Sequence, residues 1–366
     1  MRIVVTILIA LHGAIHLLGF VKAFGLVEVE NLKEPISKPL GMMWLAVFVL
    51  FSIAIVQRII HSDYWWLAAG VAVVLSQVLI VISWQDAKYG TLLNVVILIA
   101  IVMAYFAYSF NKTVNAEIDG LLAKTKTPDK TILTDGMISD LPPAVQKWLN
   151  NSGAIGKEVV YNVHLTQELQ MLMKPEQTDW TNATAKQYFT IDPPAFNWSV
   201  DLQMNPLMPV AGRDKFEDGK GAMTIKLFSM LPMVDVSDNA KVDQAALQRY
   251  LSEIVWFPSA AVSPYISWRE IDEHSVEATL AYGGTTGSAT FHFDDEGNFT
   301  KLVAMRYKGA DDAEPSEWTV RALKTEALNG VKVPVECEVD WAMENGTWTW
   351  LKLKVTGVEY NLDITP

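Results

Sequence analysis

The sequence predicts a membrane α-helical bundle of four transmembrane helices, followed by a mostly antiparallel β domain. That domain reads as a curved sheet or half-barrel with one inserted amphipathic helix. Three observations predict this fold class. Mean hydropathy is positive (+0.19) although 19% of the residues are charged, so apolar and charged residues must occupy different parts of the chain. Four apolar runs of membrane-spanning length fill the first third. From Val159 onward the hydrophobic period falls to two, with Gly- and Asn-containing turns between the runs. The 366 residues suffice for two domains. Their boundaries read as 1–112 for the helices, 113–140 for a linker and 141–366 for the β-rich domain.

The apolar runs are Ile3–Phe24, Leu40–Ile60, Tyr64–Trp84 and Thr91–Phe110, each near the ~20 residues that cross a ~30 Å hydrocarbon core as a helix. Trp65, Trp66, Trp84, Tyr89, Tyr105 and Tyr108 lie near their ends, as an interfacial aromatic belt requires. The connections Val27–Pro39, His61–Asp63 and Gln85–Gly90 are short, which gives an up-down bundle. No small-residue cleavage site or lipobox-like cysteine follows the first run, so it reads as a retained helix. With four spans, the N-terminus and the β domain share one side, with Arg2, Arg58 and Lys112. The other side carries Lys22, Lys33, Lys38 and Lys88. By that margin of one residue the positive-inside rule puts the lysine-bearing loops in the cytoplasm. The β domain then faces outward, into the periplasm or the cell exterior.

Polar side chains are costly inside a span and so single themselves out. His12 and His16, spaced i, i+4, project from one face of the first helix. Such a pair can ligate a metal or haem or relay protons; it can equally hydrogen-bond to Ser76, Gln77 and Asn94 on neighbouring helices. Asp86, Lys88 and Asn94 form a second polar cluster, which either is a solvated loop pair beside a helix start or joins the histidines in one buried site.

After Lys112 the character changes. The chain totals of 29 basic and 41 acidic residues, less the seven and five found through Lys112, leave 22 and 36, a net of −14. So acidic a domain, with no basic stripe, excludes nucleic acid as a partner. The run Asp140–Gly153 reads as a short helix, with Asp140 as cap and prolines in its first turn. Strands are predicted at Val159–Leu169, Ala183–Ile191, Phe196–Met204, Ala222–Phe228, Ser275–Tyr282, Thr290–Phe293, Lys301–Tyr307, Trp318–Lys324, Val331–Trp341 and Thr347–Val358. Between them, Asp243–Pro258 has Leu247, Tyr250, Leu251 and Ile254 at helical spacing, with Asp243 as N-cap and Pro258 as stop. A half-barrel closed by this helix is the simplest architecture.

The chemistry of the β domain points to binding. It holds nine tryptophans and a methionine group comprising Met171, Met173, Met204, Met208, Met223, Met230 and Met233. Methionine gives an adaptable lining for apolar ligands, although aromatic content also serves a large sheet core. A lipophile site is therefore expected to draw on Met171, Met173, Met204, Met223, Met230, Trp198, Tyr250, Ile254 and Trp256. The run Leu227–Val234 is expected to be a flap or a membrane-contacting loop. The scattered His164, His274 and His292 lack metal-ligand spacing, and no nucleophile elbow, phosphate loop or zincin motif occurs. Arg249 and Glu253 are expected to pair at the surface, and Arg213 with Asp214 at a strand end. Cys337, the one cysteine, reads as a buried inert thiol. No enzyme and no cofactor is assigned.

Several runs carry a resemblance: Leu141–Leu149, Pro193–Trp198, Gly212–Met223, Arg249–Pro258 and Trp268–Asp272. From Leu141 to Tyr360 the chain resembles a widespread bacterial family known only as a domain of unknown function, some members of which carry helices ahead of it. The runs His12–Phe20 and Trp84–Asn94 are similar to the membrane part of those members. The order of strands and helix is also similar to lipoprotein-carrier (LolA-like) half-barrels, which implies a groove for acyl chains. The leading expectation is membrane-tethered binding of a lipid or other lipophile. The alternatives are a metal, haem or redox enzyme built on His12 and His16, and a scaffold that binds another envelope protein.

Overall fold

The computed structural model describes residues 2–29, 32–126, 130–204 and 208–363. It divides into two compact units, Met1–Lys112 and Thr113–Pro366.

The first unit is helical. Among its described residues are α1 (Arg2–Ala23), α2 (Lys38–Ile59), α3 (Trp65–Ile82), the short α4 (Trp84–Ala87) and the start of α5 (Gly90–Ala123). The four longer helices are long and apolar enough, by length and composition, to cross a membrane. Their outward faces are Leu, Ile and Val, as lipid demands, and small residues set the close approaches inside. A Cβ on Gly19 of α1 would meet the Trp44 ring of α2 at 2.4 Å, and one on Gly41 would meet Ala23 at 2.3 Å. At one end of the bundle, Arg58 Nε donates to Thr6 Oγ1 and its guanidinium stacks 4.1 Å from the Trp65 ring. At the other end, Asp86 accepts the backbone amides of Lys33 and Glu34, at 2.6 and 2.8 Å, joining two loops that lie on the same side.

The second unit is a curled antiparallel sheet with one long helix inserted. The expected linker is largely ordered: α5 runs on to Ala123, followed by α6 (Asp135–Ile138) and α7 (Pro143–Asn151), while 127–129 lie outside the described residues. Val114, Ile118 and Leu121 are buried apolar positions in that extension, and Glu117 binds Asn197, Arg213 and Lys215. A polar-looking stretch thus hides an i, i+4 stripe with one acid that knits it to the sheet.

Thirteen strands follow: β1 (Asn162–Met171), β2 (Thr181–Ile191), β3 (Pro194–Gln203), β4 (Pro209–Glu217), β5 (Lys220–Leu227), β6 (Leu231–Val236), β7 (Ile266–Asp272), β8 (Ser275–Tyr282), β9 (Thr285–Phe293), β10 (Phe299–Arg306), β11 (Ser316–Leu328), β12 (Val331–Met343) and β13 (Gly346–Tyr360). The sheet order is β6-β5-β4-β3-β2-β1-β13-β12-β11-β10-β9-β8-β7. This is two antiparallel meanders joined by the pairing of β1 with β13, so the edges are β6 and β7. The helix α8 (Ala240–Glu253) is the connection between those two edges.

Because α8 packs against both β5 and β9, far apart in sheet order, the sheet must curl around it. The hairpin tips β4–β5 and β8–β9 meet at the closing seam, where Thr285 Oγ1 donates to Gly219 O at 2.8 Å. Asn239, not Asp243, caps α8: its side chain accepts the amides of Lys241 and Val242. Asp243 instead accepts Gly221 N and binds Lys220. Two 3₁₀ turns, Ile254–Trp256 and Pro258–Val262, prolong the inserted segment through the interior. Trp148 of α7 adds its ring beside Phe291 and Phe293.

Strands β4, β6 and β7 were not expected. The run Leu227–Val234, expected as a flap or membrane loop, is the β5–β6 hairpin, turned by Phe228 and Ser229 at positive φ. Pro232 is tolerated there because β6 is an edge strand.

Candidate functional site

Inward positions alternate along each strand and so assemble in rows across the sheet. One row runs Ala304–Trp318–Trp341–Trp348 across β10 to β13. Another runs Gln187–Trp198–Asp214–Met223 across β2 to β5. Between these rows and the C-terminal half of α8 lies a cavity of about 380 Å³. Six of the unit's nine tryptophans line it: Trp198, Trp256, Trp318, Trp341, Trp348 and Trp350. Met171, Met173 and Met223 line it as well, with Leu169, Val200, Leu202, Val210, Ile225, Val320 and Val339 among the aliphatic side chains.

A connected chain of polar groups crosses one wall. Arg249 Nη1 donates to Asp214 Oδ2 at 2.7 Å and its Nε to Glu253 Oε1 at 2.9 Å. Gln187 Nε2 donates to Glu253 Oε2 at 2.7 Å, Gln167 Nε2 to Gln187 Oε1 at 3.5 Å, and Trp198 Nε1 to Gln167 Oε1 at 3.0 Å. The Arg249 guanidinium also stacks 4.6 Å from the Trp198 ring and 5.1 Å from Phe196. This corrects two expectations. The Arg249–Glu253 pair is interior, and Asp214 turns to Arg249 while Arg213 serves Glu117 and Thr224. Burial pulls the Arg249 guanidinium down, but Glu253 and Asp214 outweigh it and hold the cation. Burial pushes Glu253 up, against the pull of Arg249 and Gln187.

Of the residues expected at a lipophile site, Met171, Met173, Met223, Trp198 and Trp256 line this cavity. Tyr250 and Ile254 do not: both are fully buried in the core. Tyr250 packs against Phe189, Phe216 and Phe257 and donates to Thr190 O. Met204, at the end of β3, is exposed and borders a separate groove with Trp180. Met230 sits in the β5–β6 turn. The methionine content of a segment does not tell which face of its strand looks inward. Missed altogether were Arg306 and the tryptophans of β11 to β13. The alternation of Trp348, Trp350 and Trp318, Val320 gives those tryptophans one face each, but nothing local marks Arg306.

In the helical unit, His12 and His16 meet Ser76 and Asn94. His12 Nε2 lies 2.8 Å from Asn94 Oδ1 and 3.2 Å from Ser76 Oγ; His16 Nε2 lies 3.0 Å from Ser76 Oγ. His16 Nδ1 donates to His12 O at 2.8 Å, and the Ser76 hydroxyl donates to Asn94 Oδ1 at 3.1 Å. Asn94 Nδ2 donates to Gln77 Oε1, and Gln77 in turn to Thr91 Oγ1. These bonds tie α1, α3 and α5 together. Among the described residues no group of three or more His, Cys, Asp or Glu side chains is placed to hold a metal. Asp86 is not in the cluster but holds the Lys33–Glu34 loop, and Lys88 lies over the Tyr89 ring.

Comparison with solved structures gives low-similarity matches. A DUF1329 family protein from Desulfovibrio piger has 9% identity and a TM-score of 0.38, covering 64% of this chain and 96% of that one. A beta-barrel-like protein of DUF1849 from Brucella abortus has 10% identity and a TM-score of 0.25, covering 56% and 99%. No curated protein matches the sequence. Residues 131–353, the greater part of the chain and nearly all of the curled sheet, match a family of unknown function; the chain belongs to that family, DUF6544.

Proposed function

We propose that this protein is a membrane-anchored binding protein whose half-barrel holds a lipid or another lipophilic molecule drawn from the bilayer. The cavity carries this reading. Its volume of about 380 Å³ falls in the ~300–1,000 Å³ range of small-molecule sites. Its walls combine six indoles, three thioethers and branched aliphatic side chains with a few placed polar groups, the composition that such sites share. The lysine-bearing loops support a half-barrel outside the cytoplasm of a bacterial inner membrane, since Lys22, Lys33, Lys38 and Lys88 outnumber the basic residues of the opposite side.

Native mass spectrometry of the full-length protein in mild detergent tests the reading. A lipophile should travel with the protein and fall at least fivefold in Val320→Trp, which fills the cavity from a half-buried position on β11. A wild-type protein that carries no lipophile, and takes up none of several added acyl compounds, would end it.

A further inference from the structure

The geometry points to an anionic group on the ligand, a carboxylate or phosphate, received by Arg306 between the Trp318 and Trp341 rings. This rests on the lipophile-binding reading and names the chemistry of the molecule's polar end.

Arg306 closes β10, and its guanidinium lies 4.7 Å from the Trp318 ring and 5.7 Å from the Trp341 ring. Its Nε donates to Ala245 O at 3.0 Å. Among the described residues no carboxylate lies within ion-pair distance of it, and the other guanidinium nitrogens, Nη1 and Nη2, donate no hydrogen bond. The two cavity carboxylates, Asp214 and Glu253, are both engaged by Arg249. Burial pushes Arg306 down to about 10, which still leaves it charged at neutral pH. A cation held on two aromatic faces, with one of its edges unspent, matches the planar fork that receives carboxylate and phosphate oxygens.

The surroundings add donors and few acceptors. The indole N–H groups of Trp318, Trp348 and Trp350 are buried without a hydrogen-bond partner. Lys308, two residues on, sits 5.8 Å from the Trp341 ring. In all, four cationic side chains (Arg213, Arg249, Arg306 and Lys308) and two anionic ones line the cavity, in a unit whose net charge is −14. Arg213 is committed to Glu117, and Arg249 to both cavity carboxylates. Arg306 and Lys308 are thus left to answer a ligand's charge. At ~30 Å³ for each small group, the cavity has room for about a dozen, which suits one medium acyl chain.

The test uses the full-length protein exchanged into amphipol and four probes with one chain length: dodecanoate, dodecyl phosphate, dodecanol and dodecyltrimethylammonium. Tryptophan fluorescence and calorimetry read their binding. Wild type should bind dodecanoate or dodecyl phosphate at least tenfold more tightly than dodecanol, and the cationic probe most weakly. The tighter of the two anions separates a fatty-acid site from a phospholipid-headgroup site. Arg306→Met should bring the anions within about threefold of dodecanol; Arg306→Lys should keep part of the preference. Equal wild-type affinities for the anionic and neutral probes would overturn the anion inference while leaving the lipophile reading intact. Failure to bind any of the four would defeat both.

Discussion

Arg249 of α8 reaches Asp214 of β4 at 2.7 Å, and through this pair the helix that joins the two edge strands is fixed to the sheet's inner face. Its second carboxylate, Glu253, lies one turn further along the same helix at 2.9 Å. All three side chains are largely withdrawn from water, so removing one partner strands a charge where solvation cannot replace it.

Asp214→Ala should therefore destabilise the β-rich unit by about 3–5 kcal/mol in chemical denaturation followed by tryptophan fluorescence. Asp214→Asn keeps an acceptor oxygen for Arg249 and should recover part of the loss. The exposed Lys124, which binds Glu217 and Asp218 at 2.8 and 2.7 Å, supplies the control. Lys124→Ala should cost about 1 kcal/mol or less, since solvent already screens that pair. Equal losses for Asp214→Ala and Lys124→Ala would refute the pinning role.

The seam between the two meanders depends on two glycines. Gly219 and Gly283 both have positive φ, at 78° and 59°, and a Cβ on Gly219 would lie 2.5 Å from Gly283 O. Gly219→Ala meets backbone on both counts and cannot be relieved by a rotamer change. A loss of roughly 1–3 kcal/mol is expected, together with faster amide exchange at the β4–β5 and β8–β9 tips. Gly284→Ala, with φ +83° and nothing nearby, isolates the conformational part alone and should cost less. If the two variants melt together, the close approach contributes nothing.

The hairpins were legible because period two and turn residues are local. The strand Val331–Met343, with Val331, Val333, Val335, Cys337, Val339 and Trp341 buried, announces itself. Strand β4 did not, because Arg213, Asp214 and Lys215 interrupt it with three charges. Their partners are Glu117, Arg249 and Glu117 again, remote in sequence and invisible to a local reading. Five of the nine residues expected at a lipophile site line the cavity, for the same reason. Met171 and Trp198 sit at inward positions of strands that were recognised, whereas Arg306 acquires its setting only when β11 and β12 bring Trp318 and Trp341 beside it.

Cys337 lines the cavity from β12, and burial pushes its thiol up to about 12, with Glu336 adding to the shift. Only the thiolate attacks alkylating reagents, so labelling at pH 8 should run roughly a thousandfold slower than for an unburied thiol, and at the normal rate in denaturant. The sign for stability follows from the same shift. The folded state holds this proton more tightly than the unfolded one. Stability is therefore intact below the ordinary thiol range and is lost as pH rises from about 9 toward 12, by about 1.4 kcal/mol per unit. Cys337→Ala should lack that slope. Fast native labelling at pH 8 would contradict the burial.

In the helical unit the hydrogen-bond geometry fixes where the protons are. His16 Nδ1 carries one, because it faces the His12 carbonyl at 2.8 Å; His12 Nε2 carries another, because it faces Asn94 Oδ1, whose amide nitrogen is already given to Gln77. The Ser76 hydroxyl gives its one hydrogen to Asn94 Oδ1 at 3.1 Å, and its oxygen faces the Nε2 atoms of both histidines. Interhelical bonds of this kind contribute about 0.6 kcal/mol each and up to ~1.7. Asn94 makes three, with His12, Ser76 and Gln77. Asn94→Ala should thus weaken the bundle by roughly 1–3 kcal/mol in detergent unfolding. Ser76 shares the partner His12 with Asn94 and bonds Asn94 itself, so the double variant with Ser76→Ala should lose less than the sum of the single losses, by about 0.5 kcal/mol or more. Added zinc or copper should leave the wild-type midpoint where it was, since three of the four ring nitrogens are already hydrogen-bonded and His12 Nδ1 stands as a single ligand. A metal-dependent rise in that midpoint, abolished by His12→Ala, would instead show that the pair is a ligand site and that these bonds yield to a metal.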